Sequence, residues 1–138
     1  MKLKSLLFSV CLSMVSSVYA INQHIHPNDG PIEKSPTDKS MTWPGYCEIE
    51  IINRSYQDIY VSGEFDDGYI LDPFTIYSFE GPHYVSLYYY GYCHVGMYLY
   101  ISTHEGYLLY SGYTKRRSSI RVLPYYGNQM KVEVSAKE

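Results

Sequence analysis

The stretch Tyr84–Ser102, YVSLYYYGYCHVGMYLYIS, decides the fold. Successive side chains of a β-strand point to opposite faces, so alternate residues line one face. Val85, Leu87, Tyr89, Gly91 and Cys93 share one parity, while Tyr84, Tyr88, Tyr90 and Tyr92 share the other. Further on, Val95, Met97, Leu99 and Ile101 alternate with Tyr98 and Tyr100. The period is two, not 3.6, and the alternation predicts extended strands with an aliphatic inner face and a tyrosine outer face.

The same reading extends outward. Cys47, Ile49 and Ile51 alternate with Glu48 and Glu50, and Ile59 and Val61 share a face before Gly63. Asp66-Asp67-Gly68 is a hairpin signal, because glycine accepts the positive φ such turns need. Asp72-Pro73 breaks the chain before Phe74–Phe79, Gly81-Pro82 breaks it before Tyr84, and Glu105-Gly106 separates Ser102 from Tyr107–Ser111. Further strands are expected at Ser119–Leu123 and Met130–Ser135. Seven to nine short strands with regular turn signals, and no amphipathic helical window, predict an all-β, single-domain antiparallel β-sandwich rather than a barrel.

The N-terminus reads as an address. Lys2 and Lys4, an apolar run from Leu6 to Val15 and the small residue Ala20 make residues 1–20 a signal peptide. The run is too short to span a membrane, and no later segment qualifies. Its short form points to a bacterial protein exported to the periplasm or the medium. Residues 21–42 carry Pro27, Pro31 and Pro36 with few large apolar groups, and read as a flexible arm. The β domain is expected over 43–138.

Once the leader's Cys11 is removed, Cys47 and Cys93 remain, both in phase with the apolar face of their strands. In an oxidising compartment that parity predicts a buried disulfide between the sheets. Closing a loop of this length stabilises a fold by on the order of 4 kcal/mol. Such a bond is a feature of immunoglobulin-like sandwiches. The tryptophan expected between their cysteines is absent, since Trp43 precedes Cys47, so the likeness is one of architecture alone.

Composition then narrows the function. The 138 residues are 46% hydrophobic and 18% charged, which fits a packed core. A formal net charge of −3 argues against nucleic acid as a partner. No nucleophile elbow is present, and the pairs Asp66-Asp67 and Glu48/Glu50 read as turn chemistry and a solvent face, so no enzyme activity is expected. His24-Ile25-His26 reads as solvated arm residues, and His83, His94 and His104 lack the spacing of a zinc site; no metal and no cofactor is expected. Asn53-Arg54-Ser55 matches a glycosylation acceptor, which carries no weight in a bacterial chain.

The unusual feature is tyrosine, with 18 residues against four Phe and one Trp. Tyr84, Tyr88, Tyr90, Tyr92, Tyr98 and Tyr100 are expected on the outer face of two neighbouring strands, as a platform for a protein or glycan partner. Arg116 and Arg117, in the only basic cluster, could help hold an anionic group. The alternative is a structural, self-assembling protein whose tyrosine face is buried in a homo-oligomer.

Overall fold

The computed structural model describes residues 22–28, 46–127 and 129–137. The leader (1–20), most of the expected arm (21–42) and Trp43 at the start of the expected β domain lie outside the described residues. No helix forms among those described, and none is long and apolar enough to cross a membrane.

Eleven strands form: β1 (Asn22–His24), β2 (Glu48–Asn53), β3 (Ile59–Phe65), β4 (Ile70–Ile76), β5 (His83–Ser86), β6 (Tyr88–Tyr89), β7 (Tyr92–Cys93), β8 (Gly96–Thr103), β9 (Leu108–Lys115), β10 (Ser118–Pro124) and β11 (Met130–Ala136). One sheet has the order β1-β5-β2-β10-β11 and the other β4-β3-β8-β9, with β6 and β7 pairing as a small hairpin. The sheets pack face to face as a β-sandwich. Ile49, Ile51, Val85, Ile120 and Val122 from the first sheet meet Ile59, Val61, Leu71, Met97, Leu99 and Ile101 from the second in one core. Full burial of each such side chain contributes roughly 1.5–3 kcal/mol.

Four expectations need correction. The first sheet is mixed rather than antiparallel, since β1 runs parallel to β5 and β2 parallel to β10. The count exceeds nine because β1, β6 and β7 are only two or three residues long. The segment after Ser86 folds back on itself: Tyr90 (φ 53°) and Gly91 (φ 82°) form a two-residue turn that pairs Tyr88 with Cys93 and Tyr89 with Tyr92. Two positive φ angles match the twist of a tight hairpin, and the turn ends the face parity at residue 90. Gly91 is therefore exposed, and Val95 beyond it is 57% exposed instead of inward. Finally, Asp72-Pro73 does not end a strand. It lies where the β3–β4 register shifts, on an edge strand, where a residue without an N–H is tolerated.

The expected Cys47–Cys93 disulfide is present, with Cα atoms 5.7 Å apart. Both cysteines are half-buried rather than buried. The bond joins the start of β2 to the β6–β7 hairpin rather than sheet to sheet, because the Tyr90-Gly91 turn carries Cys93 out of both main sheets. Backbone bonds from Leu87 N–H to the Cys47 carbonyl (2.8 Å) and from His94 N–H to the Leu87 carbonyl (2.9 Å) seat the same hairpin. Asn53, of the apparent glycosylation acceptor, is fully buried. Its amide donates to the Gln57 and Ile76 carbonyls at 2.8 and 3.0 Å, so its role is to fasten a turn.

Candidate functional site

The outer face of β4-β3-β8-β9 is a lattice of tyrosine and serine. Tyr98 and Tyr100 project from β8 opposite to the buried Met97, Leu99 and Ile101. In register, Tyr98 lies between Glu64 and Tyr113, Tyr100 between Ser62 and Ser111, and Ser102 between Tyr60 and Leu108. Tyr60 and Tyr113 therefore belong to this face too. A bulge in β9 sets the pattern: Leu108 opposes Ser102 and Tyr110 opposes Ile101, so Leu109 and Tyr110 both pack inward. Among these rows Glu64 is the one charged side chain.

The rings are held in place by their neighbours. Tyr98, 51% exposed, meets Tyr113 edge to face with centroids 5.2 Å apart. The Tyr113 hydroxyl donates to Asp66 Oδ2 at 3.0 Å. Burial and that bond to Asp66 raise the Tyr113 phenol above its usual range. Flat apolar rings, neutral hydroxyls that donate or accept, and little charge equip the face for docking.

The six tyrosines expected on one face are divided among three places. Tyr84 lies on the outer face of the other sheet, opposite Glu50, with the Lys137 ammonium 5.9 Å from its ring. Tyr88 is half-buried on the β6–β7 hairpin and donates to the Gly91 carbonyl at 3.1 Å. Tyr90 and Tyr92 are exposed on the same hairpin. Only Tyr98 and Tyr100 remain together, because β5 and β8 belong to different sheets. Arg116 and Arg117 form the β9–β10 turn and are half-buried: the Arg116 guanidinium lies 5.1 Å over the Tyr46 ring, and the Arg117 backbone (φ 65°) donates its N–H to the Glu48 carbonyl.

The histidines are the residues that the sequence reading missed. Within the expected arm, Asn22–His24 pair with the edge of β5, and His26 beyond them packs against Phe65 and Tyr89. His24 stacks on Phe74, with centroids 3.4 Å apart, and its Nε2 lies 2.8 Å from His83 Nδ1. Glu80 Oε2 approaches the far side of His83, 3.3 Å from Nε2. His26 is 0% exposed. It stacks on Tyr89 (4.2 Å) and is flanked edge-on by Phe65, Tyr69 and Tyr90. The Asn28 N–H donates to its Nδ1 at 3.1 Å, so Nε2 carries the proton donated to Asp67 Oδ2 at 2.9 Å. The stack continues through Tyr89 to His94 (3.6 Å) and on to Tyr92 (4.1 Å). The signal available was the His-x-His spacing, which in an extended chain places both rings on one side.

Electrostatics follow the packing. Burial first, then the neighbouring His83, lowers the His24 pKa to about 4. Burial pushes the Tyr89 phenol up to about 12, with the Asp67 and Asp66 carboxylates adding to the shift. Burial also opposes ionisation of Asp67, but hydrogen bonds from the Tyr69 amide, the Tyr90 hydroxyl and His26 outweigh it and hold that carboxyl below its usual range. Among the described residues no group of three or more His, Cys, Asp or Glu is placed to hold a metal ion. No protein-family model, curated protein or solved structure matches the chain.

Proposed function

We propose that the protein is an exported binding module that recognises a protein or glycan partner through the outer face of β4-β3-β8-β9. The supporting observation is the register that brings Tyr60, Tyr98, Tyr100 and Tyr113 onto one sheet face, interleaved with Ser62, Ser102 and Ser111. Rigid tyrosine rings give large contact area at low conformational-entropy cost, and small hydroxyl residues supply adaptable hydrogen bonds. The disulfide supports export. Glu64 alone among these rows carries charge, which favours docking over acid–base chemistry.

A glycan array and a cross-linking pull-down, each run with the wild type and with Tyr98→Ser/Tyr100→Ser, test this reading. The expected result is a ligand held by the wild type and lost at least tenfold by the variant at an unchanged denaturant midpoint. A ligand held equally by both overturns the assignment. So does a dimer that persists on dilution and buries this face, which would instead make the protein self-assembling.

A further inference from the structure

We propose that Asn22–Asn28 is a ligand held in cis: a His-x-His peptide seated in a two-socket groove along the β5 edge, from which acid releases it. Three observations carry this. First, the segment adds only a short parallel strand to the β5 edge, and the side chains it buries are its two imidazoles. Its strand has three residues, and Ile25 between the histidines is exposed. Second, each imidazole packs against aromatic rings from the body of the domain. His24 lies on Phe74 beside His83, and His26 is enclosed by Phe65, Tyr69, Tyr89 and Tyr90. Third, Tyr90 adopts a left-handed conformation (φ 53°) that disfavours a bulky side chain. The β6–β7 hairpin turn imposes it, and the turn places the Tyr90 ring against His26 and its hydroxyl 3.4 Å from the Asn28 amide.

The protonation states explain why acid empties the groove. One proton bridges His24 Nε2 and His83 Nδ1, so the pair accommodates at most one positive charge. Glu80 Oε2 lies 3.3 Å from the far nitrogen of His83, on the side away from His24. A second proton makes two cations in contact. At His26 both ring nitrogens are engaged, Nε2 with the Asp67 carboxylate and Nδ1 with the Asn28 N–H. The other titratable neighbours are the phenols Tyr69, Tyr89 and Tyr90, neutral throughout the acid range, and His94 and Asp66 on the far side of Tyr89. His24, lowered to about 4, binds its proton more weakly docked than free, where the value is near 6.5. Docking is therefore unaffected above about pH 6.5 and weakens as the pH falls from there toward 4.

Two experiments test the proposal. In NMR of the full chain, contacts between β1 and β5, such as His24 to Val85, should vanish between pH 7.5 and pH 4.5 while those between β2 and β10 persist. His24→Phe keeps the stack on Phe74, removes the titrating ring and should retain the β1–β5 contacts at pH 4.5. In the second experiment, the full chain carrying His24→Ala and His26→Ala receives a synthetic peptide of residues 21–28. The peptide should bind at pH 7.5 and at least tenfold more weakly at pH 4.5. Wild-type β1–β5 contacts that survive pH 4.5, or that disappear together with β2–β10, overturn the proposal. So does a folded double variant that ignores the peptide at pH 7.5. The wild-type titration decides the matter alone if the double variant does not fold.

Discussion

The Tyr113 ring lies across Gly96, where a β-carbon on residue 96 would stand 2.9 Å from Tyr113 Cε1 and closer still to the Thr114 carbonyl oxygen of the neighbouring strand. The same ring meets Tyr98, and its hydroxyl reaches Asp66, so one missing side chain helps to fix the aromatic pair on the outer face. Gly96→Ala should therefore displace Tyr113 and cost on the order of 1–3 kcal/mol, as overpacking does. Denaturant midpoints give the cost. An unchanged midpoint would mean that the Tyr113 ring and the Thr114 carbonyl both yield without cost.

Tyr98 and Tyr89 should behave as opposites. Tyr98→Ser removes cross-strand contacts from a wet face and should cost about 0.2–1 kcal/mol. Tyr89 is fully buried, and Tyr89→Ala should cost on the order of 3–5 kcal/mol. The buried Tyr89 hydroxyl has no well-formed hydrogen bond among the described residues, with only the Asp66 backbone near it, so Tyr89→Phe should cost far less than Tyr89→Ala. Urea unfolding of the three variants makes the comparison. A severe loss in Tyr98→Ser would turn the docking face into core.

The disulfide should matter more than its half-buried position suggests, because it closes a separation of 46 residues in the unfolded chain. Cys47→Ala should lower stability by roughly 2–5 kcal/mol. Thiol titration of the unfolded, unreduced protein should find neither Cys47 nor Cys93 free, and two reactive thiols would contradict the bond.

Stability should also depend on pH through His24. Its folded-state pKa is lowered to about 4, so its contribution is constant above the unfolded value near 6.5 and is lost as the pH falls between the two. Melting temperatures across that window should decline more steeply in the wild type than in His24→Phe. Parallel curves would show that His24 is not the group responsible.

Local chemistry made part of this legible in the sequence. The inward placement of Ile49 and Ile51, the Asp67-Gly68 turn and the pairing of Cys47 with Cys93 each follow from neighbours in the chain or from a shared compartment, whereas Glu50, expected on a solvent face, is buried and paired with Lys137. Parity also separated Tyr98 and Tyr100 correctly from Met97, Leu99 and Ile101. It could not say that Tyr84 and Tyr98 belong to different sheets, since strand pairing is set by long-range packing rather than local period. Tyr113 escaped because the bulge near Leu109 resets the phase of β9. The docking of His24 and His26 was hidden for another reason. A three-residue strand anchored by imidazoles carries no hydrophobic pattern, and its sockets are assembled from Phe65, Phe74, His83 and Tyr89, distant in sequence.

Hydroxyl-radical footprinting of the protein with and without its captured protein or glycan partner tests the outer-face assignment most directly. The account predicts protection of Tyr60, Tyr98, Tyr100 and Tyr113 on binding, with no change at Tyr56 and Tyr126, which are 78% and 85% exposed elsewhere on the surface. Protection of Tyr56 or Tyr126 with the four face tyrosines unchanged would contradict it.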